Sequence, residues 1–258
     1  MTRDVTPRRV LAALYRKLPR RPFRFVMPVR AWRPVFRFWL SVLAEQPDRR
    51  RAVRDLLVSY DDAYHALDRA AIAYDGGVHV KHRLTRYHDF FVEHVRAGES
   101  VLDIGSGKGE LAFDLVTRAG ASVVGIDHDS THLAFARSRF SHERLEFRDG
   151  DVLDGPPEGQ FDVVVLSNVL EHLGPRVSFL RHVVATTQPT RILLRVPLYE
   201  RDWTVPLKAE VGLLAYWDTD HEIEYDEATL RAELREAGLE ISELVQRWGE
   251  IWAVAEPR

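Results

Sequence analysis

Cysteine is absent from this chain of 258 residues. That absence removes disulfides, thiolate zinc sites, iron–sulfur clusters and a cysteine nucleophile. A long apolar run is missing too. The richest stretch, near Val35 to Ala44, is interrupted by Arg37 and falls short of the ~20 residues that a spanning helix needs. The first residues show no apolar core followed by a small-residue cleavage site. These features predict an intracellular, cytoplasmic protein. No internal repeat and no low-complexity tract is visible.

What is present is 45% apolar and 29% charged residues, the balance of a globular chain rather than a disordered one. The charge is unevenly placed. Residues 1–60 hold 15 basic and 4 acidic side chains, whereas residues 61–258 hold 21 and 35. A cationic front end therefore precedes an acidic body. The front mixes Arg with Phe, Trp and Pro, and prolines at 19, 22, 28 and 34 predict only short helices there. It reads either as a patch for anionic lipid at the inner face of a membrane, or for a polyanionic substrate, or as an accessory helical layer with solvated arginines.

From Arg51 to Ala73 apolar residues recur at helical spacing until Gly76 and Gly77, and a second helical stretch runs near Lys81 to Val95. After Gly98 the pattern changes. Short apolar runs appear at Ser100–Ile104, Ser122–Ile126, Leu145–Phe147, Phe161–Leu166, Arg191–Val196, Ile241–Gln246 and Ile251–Ala255. Helical stretches separate the first six: Glu110–Ala119, Ser130–Phe140, a short segment after Asp154, Arg176–Thr186 and Glu227–Ala237. This alternation predicts an α/β fold, doubly wound, with a mainly parallel seven-stranded sheet. Arg247 to Glu250 is too short for a crossover, so the last two runs form a hairpin and the last strand is antiparallel. The expected domains are a basic helical extension over 1–97 and a catalytic domain over 98–258, with residues 197–225 inserted as a substrate lid.

The informative stretch is Val101 to Glu110, VLDIGSGKGE, in which a buried strand enters a glycine-rich turn and then a helix. Glycines at 105, 107 and 109 let a ligand lie against the backbone. A dinucleotide fingerprint wants glycine at 110, and Glu110 there would repel a pyrophosphate, which points to a cationic ligand. The next strand ends at Asp127, where a carboxylate can take both hydroxyls of a ribose. Asp151 follows the third strand and can accept from an adenine amino group. The fourth strand leads to Asn168, Glu171 and His172. Polar residues at successive tips on one edge describe a nucleoside site at the switch point of the sheet.

DIGSGKG, VVGID, RDGDV and FDVVVLSNVLEHL, in that order, resemble the motifs of the class I S-adenosylmethionine-dependent methyltransferases, over about Gly98 to Glu256. Lys108 departs mildly from the pattern. The resemblance implies a Rossmann-like methyltransferase fold and S-adenosylmethionine as cofactor, with S-adenosylhomocysteine as product. It implies cofactor contacts from Asp103, Gly105, Ser106, Gly107, Asp127, His128, Asp151, Val152 and Asn168. His82, Arg83 and Tyr87 could close over the cofactor carboxylate, or form an exposed helix face. Some metal-dependent relatives resemble the Asn168/Glu171/His172 spacing, which would put the three on one helix face, but with Glu in place of Asn168 and a later His, here His221. Mg²⁺ is therefore an option that the sequence does not favour, and no metal ligand is assigned.

Removing a hydroxyl proton during methyl transfer needs a base, and histidine is suited to it. The candidates are His221, then His172 and Glu171. The segment 197–225 also carries Tyr199, Trp203, Tyr216, Trp217 and Tyr225, which suit a sugar, a polyol or an amphiphilic ring, or simply pack on the sheet. The reading is an O-methyltransferase acting on a small molecule, glycan or glycolipid. The alternatives are an RNA methyltransferase using the basic arm, which the acidic body does not favour, or a non-catalytic cofactor-binding scaffold.

Overall fold

The structure is a computed structural model that describes residues 29–258, apart from 152, 154, 156–158 and 217. The chain divides into two compact units, Met1–Asp62 and Ala63–Arg258. The helical stretch before the first strand thus groups with the sheet. In the first unit a helix covers Val29–Ala44, and a second, Arg49–Tyr74, begins there. The first is longer than the prolines led us to expect. Pro34 lies within its second turn and removes a single backbone donor, which the 16-residue helix tolerates.

The second unit is built on one seven-stranded sheet in the order β3-β2-β1-β4-β5-β7-β6. The strands are β1 Ser100–Ile104, β2 Ser122–Asp127, β3 Leu145–Asp149, β4 Val163–Ser167, β5 Arg191–Pro197, β6 Leu239–Arg247 and β7 Glu250–Pro257. The first five are parallel, and β7 lies antiparallel between β5 and β6. Val101, Leu102, Val163, Val164, Val165, Ile192, Leu193 and Leu194 are all sealed from solvent. Continuous apolar runs are what strands covered on both faces require, and two core clusters fill the two sides of the sheet.

Connections explain where the edge polar residues fall. β1 and β4 are neighbours while the chain between them winds out to β3, so the sheet order reverses beside β1. A crevice opens at the carboxyl ends of the strands there. The helix Ser130–Arg139 starts on Asp129, whose carboxylate accepts from the amide of Thr131. Among the described residues no helix separates β3 from β4, although a short one was expected after Asp154, itself outside the described residues. The stretch expected as one helix near Lys81–Val95 is two, Lys81–Thr85 and His88–Glu93, divided at Arg86 with φ +51°. The chain between β6 and β7 turns on Trp248 and Gly249 with φ +57° and +77°. Two successive left-handed residues match the twist of a tight hairpin.

Candidate active site

Two adjoining cavities lie at the carboxyl edge of the sheet. The larger, about 540 Å³, is walled by Gly105, Gly107, Asp127, His128, Asp151 and Asn168 among others. The smaller, about 300 Å³, is lined by Tyr64, Lys81, Asn168, Arg195, His221 and Trp248, with Glu250 behind them. Asn168 and His172 belong to both. A group in one cavity can therefore meet a group in the other across these two side chains.

The floor of the larger cavity is the glycine turn. The amides of Gly105 and Ser106 both donate to the Ile126 carbonyl, at 2.8 and 3.0 Å, which ties the turn to β2. The amide of Gly107 donates to one Asp127 carboxylate oxygen and that of Asp129 to the other, each at 2.8 Å. Gly105 has φ +71°, and a Cβ there would stand 2.7 Å from the Val169 side chain. Gly107 also has positive φ, but a Cβ on it would meet nothing within 4 Å. Backbone is thus held bare beside open space, the form of a cradle for a ligand that lies on the chain.

Asp103 and Ser106 stand beneath this floor rather than on the cavity wall. Asp103 is 1% exposed, and one of its oxygens and the Ser106 hydroxyl have no hydrogen-bond partner among the described residues. Burial, aided by the nearby charge of Asp127, raises the Asp103 carboxyl to about 7. Val152 lies outside the described residues. Glu110 turns away from the cavity: it pairs with Arg139 at 2.9 Å and lines a separate charged cleft. Its charge therefore says nothing about the sign of a ligand on the glycine turn. Lys108 reaches outward over the Phe135 ring, 5.5 Å from its centre. Arg83 pairs with Asp75, and Tyr87 lies under the Arg195 guanidinium, 3.9 Å from the ring centre. Neither lines the larger cavity.

Asn168 does not share a helix face with Glu171 and His172. It precedes them at φ +57°, its amide donating to the Arg195 carbonyl, and only a short 3₁₀ turn, Leu170–His172, follows. Asparagine is among the few non-glycine residues that adopt this left-handed region readily. The carbonyl of Glu171 accepts the amides of Glu222 and Ile223, so the inserted segment 197–225 is strapped onto this turn. Its base is closed where the Tyr199 amide donates to Tyr225 and the Tyr225 amide to Pro197.

The strap brings His221 and His172 together, their rings edge to face with centres 4.7 Å apart. Nδ1 of His221 lies 3.2 Å from Glu224, and Nδ1 of His172 lies 3.3 Å from Asp220. Glu224 is itself buried and bound by Arg201. Burial works against a charge on His221, but the hydrogen bond to Glu224 and the charges of Glu171 and Asp218 prevail, and its pKa is raised. Glu171 is wholly buried, neither carboxylate oxygen has a hydrogen-bond partner among the described residues, and burial raises it to about 8 against the pull of His221 and Arg195. Ligand atoms of Glu171, His172 and His221 lie within 4.8 Å of one another, a set that could hold a cation.

Several side chains at this site escape a reading of the sequence. Arg195 sits in β5 between the apolar Leu194 and Val196 and is bound through two nitrogens by Glu250, delivered from β7. The only hint is a charge in a strand expected to be buried on both faces. The four described aromatics of the inserted segment do not line the smaller cavity. Tyr225 is in the core, Trp203 is exposed, Tyr199 and Tyr216 face another pocket, and Trp217 lies outside the described residues. Tyr64 and Trp248 supply the rings instead.

This sheet order, with its nucleotide-type crevice, defines a Rossmann-like methyltransferase fold. Residues 101–190 match the family model described as a methyltransferase domain. Over that stretch the chain is similar to methyltransferases, and its motifs resemble those of the class I S-adenosylmethionine-dependent group. It is similar to two curated proteins named ubiquinone biosynthesis O-methyltransferase from Rhodopseudomonas palustris. With that of strain BisB5 it is 36% identical over 45% of this chain and 46% of the relative. With that of strain TIE-1 it is 31% identical over 58% of this chain and 65% of the relative. The chain thus spans about half to two thirds of the length of these relatives. The magnesium protoporphyrin IX methyltransferase from Synechocystis PCC 6803, solved with bound SAH, shares the fold with a TM-score of 0.52. The match is 17% identical and covers 89% of this chain and 98% of that one.

Proposed function

We propose that the chain transfers the methyl group of S-adenosylmethionine to a hydroxyl of a small molecule. The observation that carries this reading is the pair of cavities sharing Asn168 and His172, one floored by bare glycine backbone and the other holding a histidine oriented by a carboxylate. The residues fit the cofactor. Gly107 leaves room along the turn while Gly105 packs against Val169, Asp127 stands where a ribose would lie, His128 and Asp151 line the same wall, and Asn168 closes the end towards the acceptor. When bound, the cofactor supplies an electrophilic methyl on a sulfonium. The chain supplies position and a proton acceptor.

His221 is the base in this reading. Its Nδ1–H donates to Glu224, which leaves Nε2 to accept a proton from a hydroxyl in the smaller cavity. Glu224 fixes the tautomer and favours the protonated ring that forms, and Arg201 holds Glu224 in place. His172 lies at the junction and positions the acceptor. The rings of Tyr64 and Trp248 suit a flat or amphiphilic acceptor head. The names of the relatives support a hydroxyl acceptor. Residues 98–258 form the proposed catalytic domain.

Calorimetry tests the first half: the chain binds S-adenosylmethionine and S-adenosylhomocysteine, and binding of NADH alone would overturn the reading. Transfer of labelled methyl into extracts fractionated as phenolic lipid, glycan, RNA and protein tests the second. Label in RNA or protein would overturn a small-molecule acceptor, and label in none would favour a binding scaffold. A chelator leaves transfer unchanged if His221 acts as the base, and abolishes it if the cluster of Glu171, His172 and His221 works through a cation.

A further inference from the structure

The helix Val29–Ala44 in the first unit separates its side chains into two arcs. At 100° per residue, Trp32, Val35, Phe36, Trp39 and Val42 fall on one side, and Arg30, Arg33 and Arg37 on the other. All eight are exposed, and Phe38 at the edge of the apolar arc is 70% exposed. Phe36 and Trp39 stack on each other, their ring centres 6.4 Å apart. There is no carboxylate anywhere from Val29 to Ala44, and residues 1–28 add eight basic side chains against one acidic.

We propose that this helix docks on the surface of an anionic phospholipid bilayer, lying in the plane of the interface. The aromatics enter the boundary between headgroups and acyl chains, where amphipathic rings are favoured. The arginines meet lipid phosphates, each adding attraction that salt screens. The helix cannot cross instead. At ~1.5 Å per residue its 16 residues fall short of a bilayer core of about 30 Å, and among the described residues no helix is long and apolar enough to span. The separation of rings from arginines also favours a lipid surface over RNA. A single-strand platform needs aromatics and cations along one track, so that bases stack while the backbone is neutralised. The inference is independent of the methyl-transfer reading, since it uses no residue of the two cavities.

The test uses the whole chain and vesicles of phosphatidylcholine with or without about a third of phosphatidylglycerol, a composition chosen for its surface charge. The expected result is co-sedimentation with the anionic vesicles that falls steeply with added salt. Phe36→Asp with Trp39→Asp should abolish it. Arg30→Gln, Arg33→Gln and Arg37→Gln together should weaken it by roughly a hundredfold, from the attraction typical of three juxtamembrane cations. Melting curves check that the variants stay folded. As a second reading in an otherwise intact chain, brominated lipid should quench tryptophan emission less in Trp32→Phe/Trp39→Phe. No vesicle binding at low salt would overturn the proposal. So would binding to single-stranded RNA without vesicles, or self-association that buries the aromatic face and leaves lipid unbound.

Discussion

The Asp127 carboxylate accepts one backbone amide on each oxygen, and so braces the glycine turn before any ligand arrives. Each oxygen keeps a lone pair for a further donor, which a ribose hydroxyl can supply. Asp127→Ala removes the brace and the ligand contact together. Hydrogen bonds to a charged group contribute about 1.5–3 kcal/mol, so affinity for S-adenosylhomocysteine should fall roughly 10- to 150-fold in calorimetry. Unchanged affinity would remove Asp127 from the ribose site. His221 offers a different kind of test, because its raised pKa rests on the Glu224 hydrogen bond that overcomes burial. Glu224→Gln keeps the shape, takes away the charge and lets the His221 pKa drop. A base works when deprotonated, so the acid limb of the transfer rate against pH should move to lower pH while the maximum rate declines. A rate loss with an unmoved profile would leave Glu224 a merely structural support for the segment.

Elements carry the site in different degrees, and so did their sequence signals. The tight turn at Trp248 and Gly249 sits in left-handed backbone that asparagine tolerates and tryptophan does not favour. Trp248 is 67% exposed and lines the smaller cavity, so packing does not explain it. Trp248→Asn should raise stability by about 0.5–1 kcal/mol in denaturant unfolding, the size of other turn optimisations, and lower transfer to the acceptor. Gain without loss would remove Trp248 from the acceptor site. The glycine turn, the strand tips and the hairpin were legible because each is local: glycines, a terminal carboxylate and a four-residue link are consecutive in the chain. The dyad of His221 and Glu224 was half legible. Histidine stands out, but Glu224 lies in the acidic run DTDHEIEYDE, where only the fold reveals which carboxylate is buried and bound by Arg201. Arg195 and Glu250 are distant in sequence and meet because β7 inserts beside β5. The break at Arg86 carries no glycine to announce it, and the left-handed residue is tolerated where the chain enters the core at Phe90 and Phe91.

At the scale of the whole molecule, the buried acids bind folding to pH. Asp103, at about 7, and Glu171, at about 8, lie above ordinary carboxyls because burial disfavours their charged forms. A raised folded pKa means that the native chain holds a proton which the unfolded chain has released. These two groups therefore stabilise the fold at low pH and lose that contribution as pH climbs from about 4 towards 7 and 8. His221, raised as well, acts in the same direction above its ordinary value. His82, lowered to about 4 by burial and then by the neighbouring His88 and Arg195, acts oppositely, but only as pH falls below 6.5. Between pH 6.5 and 8.5 the three raised groups dominate, and stability of the ligand-free chain should decline with rising pH. Each proton released on unfolding contributes a slope of about 1.4 kcal/mol per pH unit. Glu171→Gln removes one of the titrating groups while keeping the side-chain volume, so urea unfolding at pH 6.5, 7.5 and 8.5 should give a visibly shallower decline than in the unaltered chain. At pH 8.5 the variant should equal or exceed the unaltered chain in stability. Parallel declines would mean that Glu171 ionises normally despite its enclosure, and the proton-holding role of the buried acids would fall to Asp103 alone.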